Sequence, residues 1–312
     1  MHMSLSNQYN LLVILGPTAS GKTGLGVQLA RHYHGEILSA DSRQVFKGMD
    51  LGAGKDLNEY GEIPYHLIDL VEPGSDYSVF HYQQDFFRAY QDICQRQTLP
   101  IMVGGTGLYI DAITQNFTLK EVPINHELRQ SLSTLTLAQL QEKLLTLKPE
   151  QHNNTDLLVR PRLVRAIEIA LGEKESLEPP SYPPIKPLIL GIQWPRSELR
   201  ERITERLKER FNQGMLEEVE TLHQQGVSYD RLEFFGLEYR LIAQHLKGEL
   251  NYNDMFQKLN SQIHQFAKRQ DTWFRKMQRR GDQIHWLDAH QNLVEQALTV
   301  VNQFNFVSPE TL

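Results

Sequence analysis

A glycine-rich segment near the start of the chain has the spacing of a phosphate-binding loop, Gly-x-x-x-x-Gly-Lys-Ser/Thr. Its residues are Gly16, Pro17, Thr18, Ala19, Ser20, Gly21, Lys22 and Thr23. The glycines let backbone N–H groups turn around an anion, and a following helix adds positive potential. Lys22 supplies a mobile cation for phosphate oxygens, and Thr23 offers a hydroxyl to Mg²⁺. The segment therefore predicts that the chain binds a phosphate or diphosphate group.

A second polar segment begins at Asp41, directly after an apolar run at residues 36–40. Its first four residues are Asp41-Ser42-Arg43-Gln44. The Asp41 carboxylate could hold Mg²⁺ or accept a proton as a general base, and the residues alone leave both roles open. A simpler interpretation is that Asp41 and Ser42 cap the following turn. A position at the carboxyl end of a parallel strand, where such sheets bind ligands, favours a functional role.

The elements that must position these residues alternate between strand and helix over the first hundred residues. Apolar runs at 11–15, 36–40, 66–70 and 99–103 predict strands, and the periodicity over 23–34 and 79–97 predicts helices. The last of these strands leads into the loop Gly104-Gly105-Thr106-Gly107. The pattern predicts an α/β fold, with a parallel P-loop NTPase-like sheet core and a helical insertion domain.

The insertion is the segment from about residue 116 to 184, where leucines recur at helical spacing and a proline-rich run closes the segment. After it, residues 187–192 predict a strand that rejoins the sheet, and helices are predicted at 197–213, 216–225, 239–246 and 252–280. We therefore expect a catalytic core from residues 1–115 plus 185–312 and an insertion from 116–184.

Composition narrows the class of protein. The 312 residues carry a formal net charge of −6, with 40% hydrophobic residues, which suits a folded globular chain. A single cysteine, Cys94, excludes an intramolecular disulfide framework and any zinc site built from two or more cysteines. Because no apolar stretch is long enough to act as a signal peptide or to span a bilayer, we expect a cytoplasmic protein with no membrane partner.

Four blocks in order resemble the tRNA dimethylallyltransferase family, also called tRNA isopentenyltransferases. They are the loop GPTASGKT, the segment from Asp41-Ser42-Arg43-Gln44 to Lys47-Gly48-Met49-Asp50, the loop Gly104-Gly105-Thr106-Gly107-Leu108-Tyr109, and Ala267-Lys268-Arg269-Gln270-Asp271-Thr272-Trp273-Phe274-Arg275. The resemblance extends over about residues 10 to 288.

The resemblance implies transfer of the dimethylallyl group of dimethylallyl diphosphate to N6 of the adenosine 3′-adjacent to the anticodon in tRNA, with release of diphosphate. The phosphate-binding loop would hold the diphosphate with Mg²⁺, and Lys22 would meet the charge that develops on it. Asp41 would be the general base, and Thr106 would lie beside the adenosine. Ser42, Arg43 and Gln44 would contact the flipped-out base or its neighbours. The enzyme is expected to be a monomer.

The same resemblance makes the insertion the tRNA-binding domain, with Arg129, Arg162 and Arg165 as contacts, and adds Lys268 and Arg269 from the last long helix. Residues 261–281 hold six cations and the single anion Asp271, which suits phosphate contact. A solvated cationic face remains the alternative for the arginines. For the aromatic pair Trp273 and Phe274 we favour core packing over base stacking. By contrast, residues 197–213 alternate basic residues with Glu and predict chiefly a solvated helix surface.

One segment departs from the family pattern. Glu233 and Glu238 stand where bacterial members have cations, and Arg231 or Arg240 are candidates to replace the lost charge. Three other functions stay open from the residues: an adenylate isopentenyltransferase acting on a free nucleotide, a P-loop small-molecule kinase or nucleotide switch, and a noncatalytic tRNA-binding module.

Overall fold

The protein divides into two compact units. The structure, a computed structural model, describes residues 8–149, 155–173 and 178–306. One unit comprises Met1–Asn116 with Pro183–Leu312, and the other, here called the insertion unit, comprises Phe117–Tyr182. Within the described ranges, every helix is too short or too polar to cross a lipid bilayer.

The described residues include eight strands, which form two parallel sheets. They are β1 (Gln8–Tyr9), β2 (Leu11–Leu15), β3 (Gly35–Ala40), β4 (Tyr65–His66), β5 (Leu99–Gly104), β6 (Pro187–Gln193), β7 (Ile284–Asp288) and β8 (Asn305–Phe306). The central sheet has the order β4-β3-β5-β2-β6-β7, and β1 pairs with β8 separately. Strands β2 and β3 are buried along their whole length, as continuous apolar runs predict for a parallel sheet.

The register of three neighbouring strands sets the position of the site. Leu15 at the end of β2 is opposite Gly104 at the end of β5, and Ala40 at the end of β3 is also opposite Gly104. The loops that follow these strands therefore begin side by side at the carboxyl edge of the sheet, where open parallel sheets bind ligands.

The described ranges contain thirteen α-helices. They are α1 (Lys22–Tyr33), α2 (Val79–Gln95), α3 (Gly107–Thr114), α4 (His126–Ser133), α5 (Leu137–Leu147), α6 (Thr155–Leu158), α7 (Arg160–Gly172), α8 (Arg196–Asn212), α9 (Met215–Gln224), α10 (Tyr229–Phe234), α11 (Leu237–Leu246), α12 (Tyr252–Arg280) and α13 (Leu293–Val301). One core packs α1 and α13 on the sheet, and another joins α8, α9, α11 and α12. The insertion unit has its own core from α4, α5 and α7.

The strand predicted at residues 66–70 is wrong beyond His66. Leu67 and Asp69 have φ angles of +67° and +55°, which no β-strand contains. The segment instead turns so that the Asp69 carboxylate pairs with the buried ammonium group of Lys55. Strand β7 and helix α13 are additions that the sequence analysis did not predict.

Candidate active site

The phosphate-binding loop connects β2 to α1 and is held by side chains from distant elements. Gln270 of α12 accepts a hydrogen bond from the Thr18 N–H at 2.9 Å. The Trp194 indole donates to the Ser20 carbonyl at 3.0 Å, and Arg202 Nε donates to the Ala19 carbonyl at 3.0 Å. Gly21, with φ +88°, caps α1 in a left-handed conformation that glycine adopts without strain. The loop is therefore fixed before any ligand binds.

Besides Arg202, three further cationic groups lie at or near this loop. The Lys22 ammonium group lies 3.5 Å from the Pro17 carbonyl oxygen. Arg206 of α8 donates to Thr18 Oγ1 at 3.3 Å and pairs with Asp56, and Arg210 of the same helix lies 3.6 Å from the Asp56 carboxylate. Burial lowers the pKa of Lys22 to about 8, and the Arg206 charge adds to this, whereas Asp41 and Asp56 oppose it.

The interpretation of residues 197–213 as chiefly a solvated surface is wrong for one face of α8. Arg202, Arg206 and Arg210 recur at four-residue intervals, so they lie on one side of the helix. Arg202 and Arg206 bond the phosphate-binding loop, and Arg210 is only 9% exposed. The alternation of basic residues with Glu concealed this arrangement, because the helical spacing of the arginines is its only sequence signal.

Asp41, Ser42 and Thr106 come together from the ends of β3 and β5. Thr106 Oγ1 accepts a hydrogen bond from the Ser42 N–H at 3.1 Å and lies 3.5 Å from Ser42 Oγ. The Asp41 Oδ1 atom accepts from the Arg43 N–H at 3.0 Å, so the turn-capping interpretation of Asp41 holds for this oxygen. The negative charge of Asp41 partly offsets the lowering of the Lys22 pKa. The carboxylate therefore lies within electrostatic reach of the phosphate-binding loop.

The two remaining residues of the Asp41 segment lie deeper. Burial lowers the pKa of Arg43, and the neighbouring Asp41 carboxylate opposes this. Gln44 is only 8% exposed, and its amide group accepts from Ser39 Oγ at 2.7 Å and donates to the Gly54 carbonyl at 3.0 Å. Both ends of the Gln44 amide are thus engaged within the protein, which suits support of the loop better than contact with a base.

Two ionic groups that the sequence analysis missed, buried Lys55 and half-buried Glu218, hold the next part of this loop. The Lys55 side chain is fully buried, and its ammonium group donates to the Phe46 carbonyl at 2.8 Å and to Asp50 at 2.6 Å. The Glu218 carboxylate of α9 accepts backbone N–H groups of residues 50, 51 and 52 at 2.6–3.0 Å. Their partners are backbone groups and distant residues, which leave no motif in the sequence.

Helix α12 links the two glycine-rich loops. Gln270, which accepts from Thr18, also donates to the Gly105 carbonyl at 3.0 Å. The Trp273 indole donates to the buried Asp111 at 2.9 Å, and its ring covers Gly107 so closely that no side chain would fit there. Phe274 is fully buried, so the favoured core packing is confirmed for Phe274, whereas Trp273 is half-buried against Gly107. Lys268 and Arg269 are exposed on the other side of the helix.

The predicted tRNA contacts of the insertion unit differ in their surroundings. Arg129 donates to both oxygens of Glu168 at 3.0 and 2.9 Å, and Arg165 pairs with the same carboxylate and donates to the Val122 carbonyl at 2.8 Å. The Glu168 side chain is 1% exposed. Arg129 and Arg165 are therefore half-buried members of an ionic cluster around a buried carboxylate, whereas Arg162 is exposed on α7.

Neither arginine proposed to replace the missing family cation faces the phosphate-binding loop. Arg231 donates to the Pro73 carbonyl at 2.9 Å and to Asp76 at 3.3 Å, and Arg240 donates to Gln262 at 2.6 Å. Glu233 pairs with Lys247 at 2.9 Å. Burial raises the pKa of Glu238, although the nearby Arg210 and Arg43 oppose this.

The oxygen donors at the loop suit Mg²⁺. No group of three or more His, Cys, Asp or Glu side chains that could hold a metal ion occurs among the described residues. Mg²⁺ in phosphate sites needs only one or two protein oxygens, because substrate phosphates and waters complete its shell. The Thr23 hydroxyl, at the start of α1 beside Lys22, is such a donor. The donor chemistry therefore fits an ion carried mainly by a diphosphate.

The parallel sheet with this loop at its carboxyl edge defines a P-loop NTPase-like protein. The family model described as IPP transferase matches residues 44–277. The chain is 62% identical over 281 residues to tRNA dimethylallyltransferase 2 of Syntrophotalea carbinolica, covering 90% of this chain and 94% of that protein. It is 58% identical over 292 residues to tRNA dimethylallyltransferase 1 of Geotalea uraniireducens, covering 94% and 97%.

A solved structure agrees with these relatives. The full-length tRNA isopentenylpyrophosphate transferase from Bacillus halodurans matches with a TM-score of 0.69 and 28% identity, covering 95% of each chain. The chain belongs to the tRNA dimethylallyltransferase family, and it is a transferase.

Proposed function

We propose that this enzyme transfers the dimethylallyl group of dimethylallyl diphosphate to N6 of the adenosine 3′-adjacent to the anticodon in tRNA, and releases diphosphate. The observation that carries the proposal is the adjacency of two groups. A cationic phosphate-binding loop lies beside the Asp41–Thr106 pair, at the in-register ends of β2, β3 and β5. The names of the relatives support the same reaction.

On the donor side, the phosphate-binding loop holds the diphosphate. When the bond between the allylic carbon and the diphosphate oxygen breaks, the electron pair leaves with the diphosphate. Lys22, Arg206 and the backbone N–H groups at the start of α1 meet the added negative charge. Thr23 is the residue that would hold Mg²⁺, which when bound neutralises further charge on the leaving group.

On the acceptor side, Asp41 removes the proton that N6 must lose. The N6 nitrogen forms the new bond to the allylic carbon, and the Asp41 carboxylate accepts the proton as that bond forms. Thr106 orients the segment through the Ser42 N–H, at 3.1 Å. The adenosine has to leave its stack to reach this pocket, and Ser42 and Arg43 are the residues proposed to contact it.

For the polymer, we assign tRNA contact to the exposed cations. Lys268 and Arg269 of α12 and Arg162 of α7 are exposed and able to meet phosphates. Gln44, Arg129 and Arg165 are assigned to supporting structure, because their polar groups bind within the protein. A monomer suffices, since every group named here comes from one chain, and a tRNA substrate accords with the cytoplasmic location predicted from the sequence.

The reaction can be tested directly. Purified protein, Mg²⁺ and dimethylallyl diphosphate are incubated with unmodified tRNA, and the digested nucleosides are analysed by mass spectrometry. An adenosine heavier by one dimethylallyl group is expected. No mass gain on any tRNA with an adenosine at that position would contradict the proposal. A parallel reaction with AMP tests the adenylate alternative, and ATP turnover without the prenyl donor would favour a kinase.

Substitutions of Asp41 test whether catalysis can be separated from tRNA binding. We expect Asp41→Asn to keep tRNA affinity within about twofold while transfer falls by at least about 100-fold, because the amide can still cap the turn but cannot accept the proton. Asp41→Ala removes both roles and serves as the comparison. Affinity is measured by filter binding and transfer by mass spectrometry. Full transfer by Asp41→Asn would rule out the general-base assignment.

A further inference from the structure

Arg210 is a buried cation whose hydrogen-bonding capacity is largely unused. It lies on α8, its side chain is 10% exposed, and its nearest anion is Asp56 at 3.6 Å. Within the described residues, its Nε and one terminal nitrogen are buried without a hydrogen-bond partner. Buried guanidinium groups normally satisfy their donors, because an unsatisfied buried charge costs stability. Such a group indicates a missing anionic partner.

The surroundings of Arg210 indicate where that partner binds. The guanidinium lies against the backbone at Gly54 on one side, so closely that no side chain would fit there. Asp56, its only neighbouring anion within 4 Å among the described residues, is already paired with Arg206. Arg206 in turn donates to Thr18 of the phosphate-binding loop, and the Arg210 charge acts on Lys22. Ser20 Oγ, in that loop, is also buried without a hydrogen-bond partner in the described part of the chain.

Arg210 also bears on the family cation that is missing from the segment 233–238. Glu233 and Glu238 occupy positions where the family resemblance leads us to expect cations, and Arg231 and Arg240 bind elsewhere. Glu238 is within electrostatic reach of Arg210, so the positive charge at this place comes from α8 and the negative charge from α11. The cation at this place is thus on α8, whereas the family pattern puts it in the segment 233–238.

We propose that Arg210 is a diphosphate-binding residue that supplies, from α8, the cation missing from the segment 233–238. The proposal rests on the proposed function for the identity of the donor, but its ligand chemistry is that of inorganic diphosphate alone. Two N–H groups of one planar guanidinium bind two phosphate oxygens in a fixed fork geometry, which a flexible ammonium group does not provide. Arg210, Arg206 and Lys22 would then neutralise the leaving group together.

The test measures binding of inorganic diphosphate by calorimetry in Arg210→Met, which removes the charge but keeps an unbranched buried side chain. We expect the diphosphate Kd and the KM for dimethylallyl diphosphate to rise at least about tenfold, with the KM for tRNA changed less than about twofold. The melting temperature should not fall, because the variant removes an unsatisfied buried charge. Arg210→Lys keeps the charge without the fork and should give intermediate values.

Lys208→Met is the matched control, since Lys208 lies two residues away on α8 and its exposed ammonium group pairs with Glu205. It loses the same charge and should bind diphosphate like the wild type. Equal diphosphate affinity in Arg210→Met and wild type would overturn the inference, as would a loss of melting temperature accompanied by equal losses for diphosphate and tRNA. If wild type transfers no prenyl group, the proposed function fails, while the diphosphate measurement still decides the role of Arg210.

Discussion

Lys22 is a lysine whose charge depends on pH in the range where the enzyme would be assayed. Burial, with the added repulsion of Arg206, lowers its pKa to about 8. A bound diphosphate favours the protonated form, so the complex holds a proton that the free protein loses above this pH. On top of the ionisation of diphosphate itself, we expect the Lys22 contribution to diphosphate affinity to be nearly constant below about pH 7 and to fall by up to about tenfold per unit above pH 8. Calorimetry in buffers of different ionisation enthalpy should detect the proton uptake.

Lys22→Arg provides the control for this pH dependence, because an arginine stays charged throughout the range. Its diphosphate affinity should be weaker than that of the wild type but should follow only the ionisation of diphosphate itself. If the wild type and Lys22→Arg show the same pH profile, Lys22 does not titrate in this range.

At the scale of elements, α12 joins the two loops on which the proposed chemistry depends. Gln270 alone bonds both Thr18 and Gly105. We expect Gln270→Ala to lower kcat by about tenfold or more, because both loops lose a shared hydrogen-bond partner and their relative position loosens. The affinity for tRNA should change little. Gln265→Ala, an exposed residue of the same helix, is the control. Unchanged kcat in Gln270→Ala would show that the loops keep their positions without it.

The insertion unit is stabilised by one buried carboxylate, Glu168. Burial raises its pKa, but hydrogen bonds from Arg129 and Arg165 and from the Asn125 N–H outweigh this, so the net pKa lies below its usual range. A depressed pKa means that the stabilisation is complete above the pKa of the unfolded chain, about 4.3, and is lost as the pH falls through the folded value. The insertion unit should therefore lose stability in acid.

A substitution tests the same cluster at neutral pH. Glu168→Gln leaves two arginines without their charged partner and should destabilise the insertion unit by about 3 kcal/mol. Amide hydrogen exchange in α7 should accelerate accordingly, while exchange in β2 and β5 stays unchanged. Glu142→Gln, at an exposed position of α5, should have no such effect. Equal protection of α7 in wild type and Glu168→Gln would rule out this role.

Sequence patterns predicted the elements whose identity depends on local spacing. Strand β2 has the predicted bounds, and so does α12, because continuous apolar runs and long helical periodicity are strong local signals. Strand β7 has the same five-residue length as β2, but it was missed because it carries His285 and Asp288 among its apolar residues. It becomes a strand only because β6 lies beside it, with Leu190 opposite His285. Such pairing partners are remote in sequence.

The residues of the candidate site likewise divide into those that local motifs predict and those whose roles depend on contacts remote in sequence. The phosphate-binding loop, Asp41 and Thr106 follow strand ends and were predicted from motifs. Arg210 and Glu218 were not, because their roles arise from tertiary contacts with backbone groups or with residues far along the chain. On a helix surface of alternating charge, the four-residue spacing of Arg202, Arg206 and Arg210 is the only sign that one face contacts the phosphate-binding loop.

At the scale of the whole molecule, a net charge of −6 is compatible with a tRNA substrate because charge is unevenly distributed. Helix α12 carries Lys268, Arg275 and Arg279 at spacings that place them on one exposed face. The charge of this face, rather than the net charge of the whole protein, determines how a polyanion is attracted.

This face should control the salt dependence of tRNA binding. Each phosphate contact adds about 0.7–0.9 to the slope of log affinity against log salt concentration. We expect the double variant Lys268→Ala with Arg275→Ala to reduce that slope by between about 1 and 2. The same variant should weaken tRNA binding at low salt by at least about tenfold. Diphosphate affinity should not change. The control removes the same charge elsewhere, from the exposed Arg31 and Lys47, and should keep the wild-type slope. Fluorescence anisotropy over a salt series measures all three proteins, and identical slopes would place the tRNA on another surface.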